Sequence, residues 1–232
     1  MAEITYRDRK IDLKPYFEGF PYMGFNCIDS LNQLYYFHRG EKVTLMRTGL
    51  EAQPDLTRGE KVSDLDFNTF SASGFQFDPA HGYAYFTGDE KNDEMFNVYR
   101  LDLATGDKEK LTDEEYIYAK KFFKEDQKIA FIARKKTEER MASCLKILDL
   151  ETGETETLVH DDPEWTFSWS SIIRHPETGV FYFQLLYKYD RNQSNALAFD
   201  PKTGEKKILF PTGVKRSMFS VYHRMLDNDH LV

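Results

Sequence analysis

Short apolar runs recur along this chain between polar turns, and segments with the apolar spacing of an amphipathic helix are nearly absent. The clearest runs are Leu34-Tyr35-Tyr36-Phe37, Tyr83-Ala84-Tyr85-Phe86, Ile129-Ala130-Phe131-Ile132 and Val180-Phe181-Tyr182-Phe183. They are aromatic and β-branched with few polar breaks, as strands buried on both faces are. A turn precedes each one: Leu31-Asn32-Gln33, Asp78 to Gly82, Glu125-Asp126-Gln127 and His175 to Gly179. Asn, Asp, Pro and Gly supply the fixed or left-handed backbone angles of such turns. A third strand follows, as at 97–101 and 145–148, and it ends in Asp-x-x-Thr-Gly at 102–106, 149–153 and 200–204. Beyond that turn the chain becomes polar, as in Lys108-Glu109-Lys110-Leu111, Glu154 to Leu158 and Glu205 to Leu209. Lys and Glu alternating with aliphatics mark a solvated outer strand that discourages edge-to-edge pairing.

The unit repeats. Gly106, Gly153 and Gly204 stand 47 and 51 positions apart, a period that signals stacked or circular repeats. Units of four antiparallel strands, graded from buried inside to charged outside, predict an all-β fold, a β-propeller. A solenoid is the rival, with shorter units that carry a helix or a parallel coil. Four complete blades are expected over 22–62, 70–113, 116–161 and 166–212, and a fifth begins at 217–232 and stops inside its second strand. The propeller thus occupies 21–232, and residues 1–20 are an N-terminal extension or a ring-closing strand. Two readings follow. Either the chain is the N-terminal part of a larger ring, which is the favoured one, or Glu3 to Arg7 and Ile11 to Lys14 complete the last blade of a five-bladed ring.

Composition narrows the function classes. The formal net charge is −8 over 232 residues, and both nucleic acid and anionic lipid ask for a basic face. Neither is expected as a partner. Cys27 and Cys144 are the only cysteines, too few for a disulfide framework or a Cys-rich metal site. The first ten residues hold no apolar run that would read as a signal peptide or a membrane span. A cytoplasmic location is the expectation.

These motifs resemble the propeller domain of the prolyl oligopeptidase class of serine peptidases, including the acylaminoacyl and dipeptidyl peptidases. They are similar to TolB-type propellers too. The turn-plus-strand Phe77-Asp78-Pro79-Ala80-His81-Gly82-Tyr83-Ala84-Tyr85-Phe86 and the Leu-Asp-Leu-x-Thr-Gly hairpins at 101–106 and 148–153 carry the likeness. It covers residues 20–232. The resemblance implies a propeller that covers an α/β-hydrolase domain and admits short peptides while excluding folded proteins. In that class the nucleophile, acid and histidine lie in the hydrolase domain. No Gly-x-Ser-x-Gly elbow occurs in this sequence, so no catalytic residue is carried over.

The residues themselves suggest little chemistry. Of the six histidines, His81 and His175 lie in turns, His230 follows one and His38 ends a strand. None shares a motif with a Ser or Cys nucleophile. Asp227-Asn228-Asp229-His230 aligns with the turns of other blades and lacks the calcium-loop pattern. No metal and no cofactor is expected. The first strands carry few acids, which argues against a glycoside-active propeller with carboxylates around its channel. Loop length is the better clue. Second-to-third connections are long and charged, at 89–94, 135–140 and 190–193, and antiparallel geometry puts them on one face with the inter-blade connections. Loops held by a rigid scaffold carry recognition. Arg134, Glu138, Glu139, Arg140 and Arg191 are the candidates for contacts to peptide termini or to a hydrolase domain. Trp165, read as an inter-blade residue, joins them. The function expected is the substrate-gating region of a peptidase acting on short peptides. The alternative is a stand-alone, non-catalytic propeller that binds a protein or peptide.

Overall fold

The computed structural model of the chain describes residues 3–6, 9–12, 22–28, 31–50, 55–91, 93–168, 172–189 and 193–209. An N-terminal hairpin pairs β1 (Glu3–Tyr6) with β2 (Arg9–Asp12). Blade one is β3 (Tyr22–Ile28), β4 (Gln33–Arg39), β5 (Val43–Gly49) and β6 (Glu60–Lys61), paired in that order. Blade two is β7 (Ser71–Asp78), β8 (Tyr83–Asp89), β9 (Asn97–Asp102) and β10 (Lys108–Lys110). Blade three is β11 (Tyr116–Phe123), β12 (Lys128–Lys136), β13 (Met141–Asp149) and β14 (Thr155–His160). Blade four has β15 (Trp165–Phe167) and β16 (Ile173–Arg174), both paired with β17 (Phe181–Tyr187), then β18 (Ser194–Phe199) and β19 (Lys206–Ile208).

The four-stranded antiparallel blades are those read from the repeat. One placement differs. Trp165 and Phe167 belong to the innermost strand of blade four, not to a connection between blades. Alternating burial is the reason, because both rings pack inward while Thr166 between them does not. The expected fifth blade at 217–232 lies outside the described residues.

The chain forms two compact units, Met1–Asn92 with Arg100–Glu109, and Asp93–Tyr99 with Lys110–Val232. In the first, Tyr35, Tyr36, Leu45, Ala84 and Phe86 are fully buried. Phe75 stacks on Phe86 with centroids 4.6 Å apart, and Phe67 meets Phe37 edge-on at 5.2 Å. In the second, Ala130, Ile132, Leu145, Phe167, Phe181, Phe183 and Leu197 form one continuous core.

A further repeat lies in the inner strands. β3, β7 and β11 each carry a bulge, between Met23 and Asn26, Ser73 and Gln76, and Ile117 and Ala119. A bulge adds a residue, bends the strand and re-aims a side chain. In β11 the extra residue is Tyr118, which turns toward the second unit's core.

Candidate functional site

In the second unit, the second-to-third hairpin of blade three meets the connection into blade four. The hairpin is tight. Thr137 N–H donates to the Arg140 carbonyl at 2.8 Å, and Arg140 N–H donates to Thr137 Oγ1 at 3.1 Å. Glu138 and Glu139 are thereby held out at the tip, and both are exposed. Lys136 N–H donates to Glu115 Oε2 at 2.7 Å, which fixes the base of the hairpin to the preceding connection.

Asp161 is the centre of the cluster. Its side chain is fully buried, and a buried carboxylate requires charge and hydrogen-bond partners. Arg140 Nη1 lies 2.8 Å from Oδ1, while Lys188 Nζ lies 3.4 Å from Oδ2. Ser143 Oγ donates to Oδ2 at 3.0 Å. A hydroxyl has one proton to give, so Thr166 Oγ1, 2.8 Å from Ser143 Oγ, is the donor in that pair. The chain of donation runs Thr166 to Ser143 to Asp161. Asp161 N–H in turn donates to the Ser143 carbonyl at 2.9 Å. Lys188 also reaches the Asp162 carbonyl, and its own N–H donates to the Glu164 carbonyl at 2.8 Å.

Beside this cluster the Arg134 guanidinium lies 4.3 Å from the centre of the Tyr118 ring. The Tyr118 hydroxyl donates to the Phe167 carbonyl at 3.0 Å, and burial pushes its phenol above the usual range. Two residues on, desolvation pulls the Lys120 ammonium down to about 8. The Cys144 thiol is free and raised by burial, which suits an inert thiol. Among the described residues, three buried polar atoms of blade four have no partner: Gln184 Nε2, Tyr187 Oη and Ser194 Oγ. Such atoms are the usual seats of bound water.

Of the expected residues, Arg134 and Arg140 are brought to the cluster and Glu138 and Glu139 stand at its rim. Trp165 is placed differently. It is 5% exposed and meets Phe167 edge-on at 5.3 Å, a core side chain with little of its ring left for a partner. Arg191 lies outside the described residues. Tyr118, Ser143, Asp161, Thr166 and Lys188 are not among the residues expected from the sequence. The one available signal was position, since Asp161 directly follows an outermost strand.

Among the described residues no cluster of three or more His, Cys, Asp or Glu could hold a metal. His81 Nδ1 is 2.8 Å from Asp78 Oδ2 and His175 Nδ1 accepts N–H bonds from Glu177 and Thr178 at 3.2 and 3.3 Å, so both are turn residues. No described helix is long and apolar enough to cross a membrane.

No family model matches the chain, and no curated protein matches it. Solved structures do. Puromycin hydrolase is similar with a TM-score of 0.55 at 15% identity, over 83% of this chain and 30% of its own. The acylaminoacyl peptidase of Pyrococcus horikoshii gives 0.53 at 14% identity, over 86% and 33%. An oligogalacturonate lyase in complex with manganese gives 0.59 at 14% identity, over 82% and 54%. The chain thus spans about a third to a half of the length of these proteins. The likeness is one of fold, and it places the chain among proteins built from β-propeller blades.

Proposed function

We propose that this chain is the substrate-gating propeller region of a serine peptidase of the prolyl oligopeptidase class, acting on short peptides in the cytoplasm. The α/β-hydrolase domain that performs acyl transfer would lie outside these 232 residues. The observation that carries the reading is the Asp161 cluster. Two cations and a hydroxyl fix one buried carboxylate, and this holds the charged hairpin of blade three in place. A rigid scaffold with charged loops on one face suits a filter, because preorganised contacts discriminate without an ordering cost. The likeness in fold to an acylaminoacyl peptidase supports the same reading. Arg134, Arg140 and Arg191 are the proposed contacts to peptide carboxylates, and Glu138 and Glu139 those to amino termini.

The test is the coding sequence beyond codon 232, with activity measured on its full-length product. Further blades followed by a Gly-x-Ser-x-Gly elbow, and a product that cleaves short peptides but spares folded proteins, are expected. Arg140→Ala in that product should raise KM more than it lowers kcat. A stop codon at 233, with a stable product inert toward peptides, overturns the proposal and leaves a stand-alone binding propeller.

A further inference from the structure

Blades three and four carry a serine at the same place. Ser143 and Ser194 each stand six residues before the Asp that opens an Asp-x-x-Thr-Gly turn. Their strand partners agree. Ser143 pairs with Arg134 and Ser194 with Leu186, each seven residues beyond the left-handed residue of its blade's first-to-second turn, Gln127 or Gly179. Ser143 is satisfied, since it donates to Asp161 and accepts from Thr166. Ser194 is 3% exposed, and its Oγ has no partner.

Gln184 lies on the same face of the sheet. It pairs with Ala196, two residues along β18 from Ser194. Side chains so related are diagonal neighbours about 7 to 8 Å apart, within reach of a long one. Gln184 is 2% exposed, and its Nε2 has no partner. Blade three has Ile132 at this position, a core residue, so packing alone does not call for an amide. Two buried donors without acceptors carry a desolvation cost that an incoming acceptor removes. Tyr187 Oη belongs to the opposite face, which packs on the core.

What blade three has and blade four lacks is the acid. Asp161 stands eight residues after Gly153, and Thr212 stands eight after Gly204. No Asp or Glu occurs between Glu205 and Asp227, a stretch that holds five Lys and Arg. Arg140, three residues before Ser143, has its sequence counterpart in Arg191, three before Ser194. The blade repeats the donors of the Asp161 cluster without its carboxylate. Ser194 is the first residue of β18, at the end of the sheet that meets the second-to-third connection. A ligand arriving at that end meets Ser194 first.

We infer that Ser194 Oγ and Gln184 Nε2 form a site for a carboxylate from outside the chain, the C-terminus of a peptide or the side chain of its Asp or Glu. Each atom donates one hydrogen bond to it. In taking the carboxylate from a peptide this deepens the gating proposal and rests on it. The donor pair does not depend on it.

The experiment titrates the 232-residue chain with acetyl-Ala-Ala-Ala, acetyl-Ala-Glu-Ala-amide and acetyl-Ala-Ala-Ala-amide. Calorimetry measures affinity, and the NMR signal of the Gln184 side-chain amide reports the place. One or both of the first two peptides should bind and shift that signal, the tighter naming the source of the carboxylate, while the third should not bind. Ser194→Ala and Gln184→Leu should each weaken binding at least fivefold. Lys202→Ala, exposed on the third-to-fourth turn of the same blade, should leave it unchanged. Without peptide, Gln184→Leu should melt no lower than wild type, because it removes an unpartnered buried amide. Its loss of binding is then not a loss of fold. Equal binding of all three peptides, binding that leaves the Gln184 signal unmoved, no binding at all, or a lower melting temperature for Gln184→Leu overturns the inference. Any of those results beside a longer product that cleaves short peptides rejects this inference alone. A stop codon at 233 in a chain that still binds either carboxylate rejects the gating proposal alone.

Discussion

The N–H of Leu150 donates to the carbonyl of Gln127 at 2.9 Å, tying the third-to-fourth turn of blade three to its first-to-second turn. The same bond recurs at the same length from Leu103 to Gly82 in blade two and from Leu50 to Asn32 in blade one. In each case the acceptor has a left-handed backbone, with φ of 48°, 75° and 49°. Blade four keeps the left-handed acceptor, Gly179, but its donor position is Pro201, which has no N–H.

Gln127 is therefore a residue with a side chain where glycine fits better. The left-handed region costs a non-glycine residue about 1 kcal/mol. Gln127→Gly removes that strain. It also removes the exposed bond from Gln127 Nε2 to the Lys124 carbonyl, 2.9 Å long, worth about 0.5 kcal/mol. A net gain of about 0.5 kcal/mol is expected in urea unfolding, with an unchanged m-value. A net loss would mean that the side-chain bond outweighs the backbone strain.

The glycines closing the Asp-x-x-Thr-Gly turns look equivalent in sequence and are not equivalent in space. A Cβ on Gly106 would stand 2.3 Å from the Val62 carbonyl oxygen and 3.0 Å from Ser63 Cα, while one on Gly153 meets nothing within 4 Å. Ser63 Oγ also donates to the Gly106 carbonyl at 2.8 Å. Gly153→Ala should cost about 1 kcal/mol, from its positive φ alone. Gly106→Ala must displace backbone as well, and about 3 kcal/mol is expected. Equal losses in denaturant unfolding would show that the Val62–Ser63 segment yields freely.

The same turns set part of the acid response. N–H groups of Thr105 and Ala104 hold the Asp102 carboxyl below its usual range, and those of Thr152 and Glu151 do the same for Asp149, with help from Lys128. A carboxyl depressed in the folded state stabilises fully above its unfolded pKa, about 3.9. That contribution is lost as pH falls through the folded value. Asn at both positions keeps an acceptor and removes the titration. The melting temperature of Asp102→Asn with Asp149→Asn should lie below wild type at pH 7, with the gap closing as pH falls below about 4. A gap constant from pH 7 to 2 would refute the linkage.

Repeat units, strand order and turn chemistry were legible because each is local: an apolar run, a turn residue and a polar edge lie within a few positions of one another. Asp161 was not. Its partners Arg140, Ser143 and Lys188 come from separate strands and loops, and only the packed blades bring them together. Trp165 was misplaced for a related reason. The innermost strand of blade four is split into β15 and β16, so its first three residues did not read as a strand. The bulge at Tyr118 gave no sequence signal either, since a single extra residue leaves the apolar run intact.

The clearest energetic test of the candidate site is the Asp161 carboxylate. Removing one partner of a buried pair costs about 3 to 5 kcal/mol when the survivor stays buried. Here the survivors are partly solvated, with Arg140 34% and Lys188 22% exposed, so both can turn toward water. Asp161→Ala should then cost about 2 kcal/mol, below the range for fully buried pairs. Arg140→Met alone should cost less, because Lys188 and Ser143 remain on the carboxylate. In the double variant the two losses should fall short of additive by about 1 kcal/mol. Additive losses in denaturant unfolding would mean that Arg140 and Asp161 are neighbours without coupling. The hairpin carrying Glu138 and Glu139 would then be held by its Thr137–Arg140 turn rather than by the buried charge.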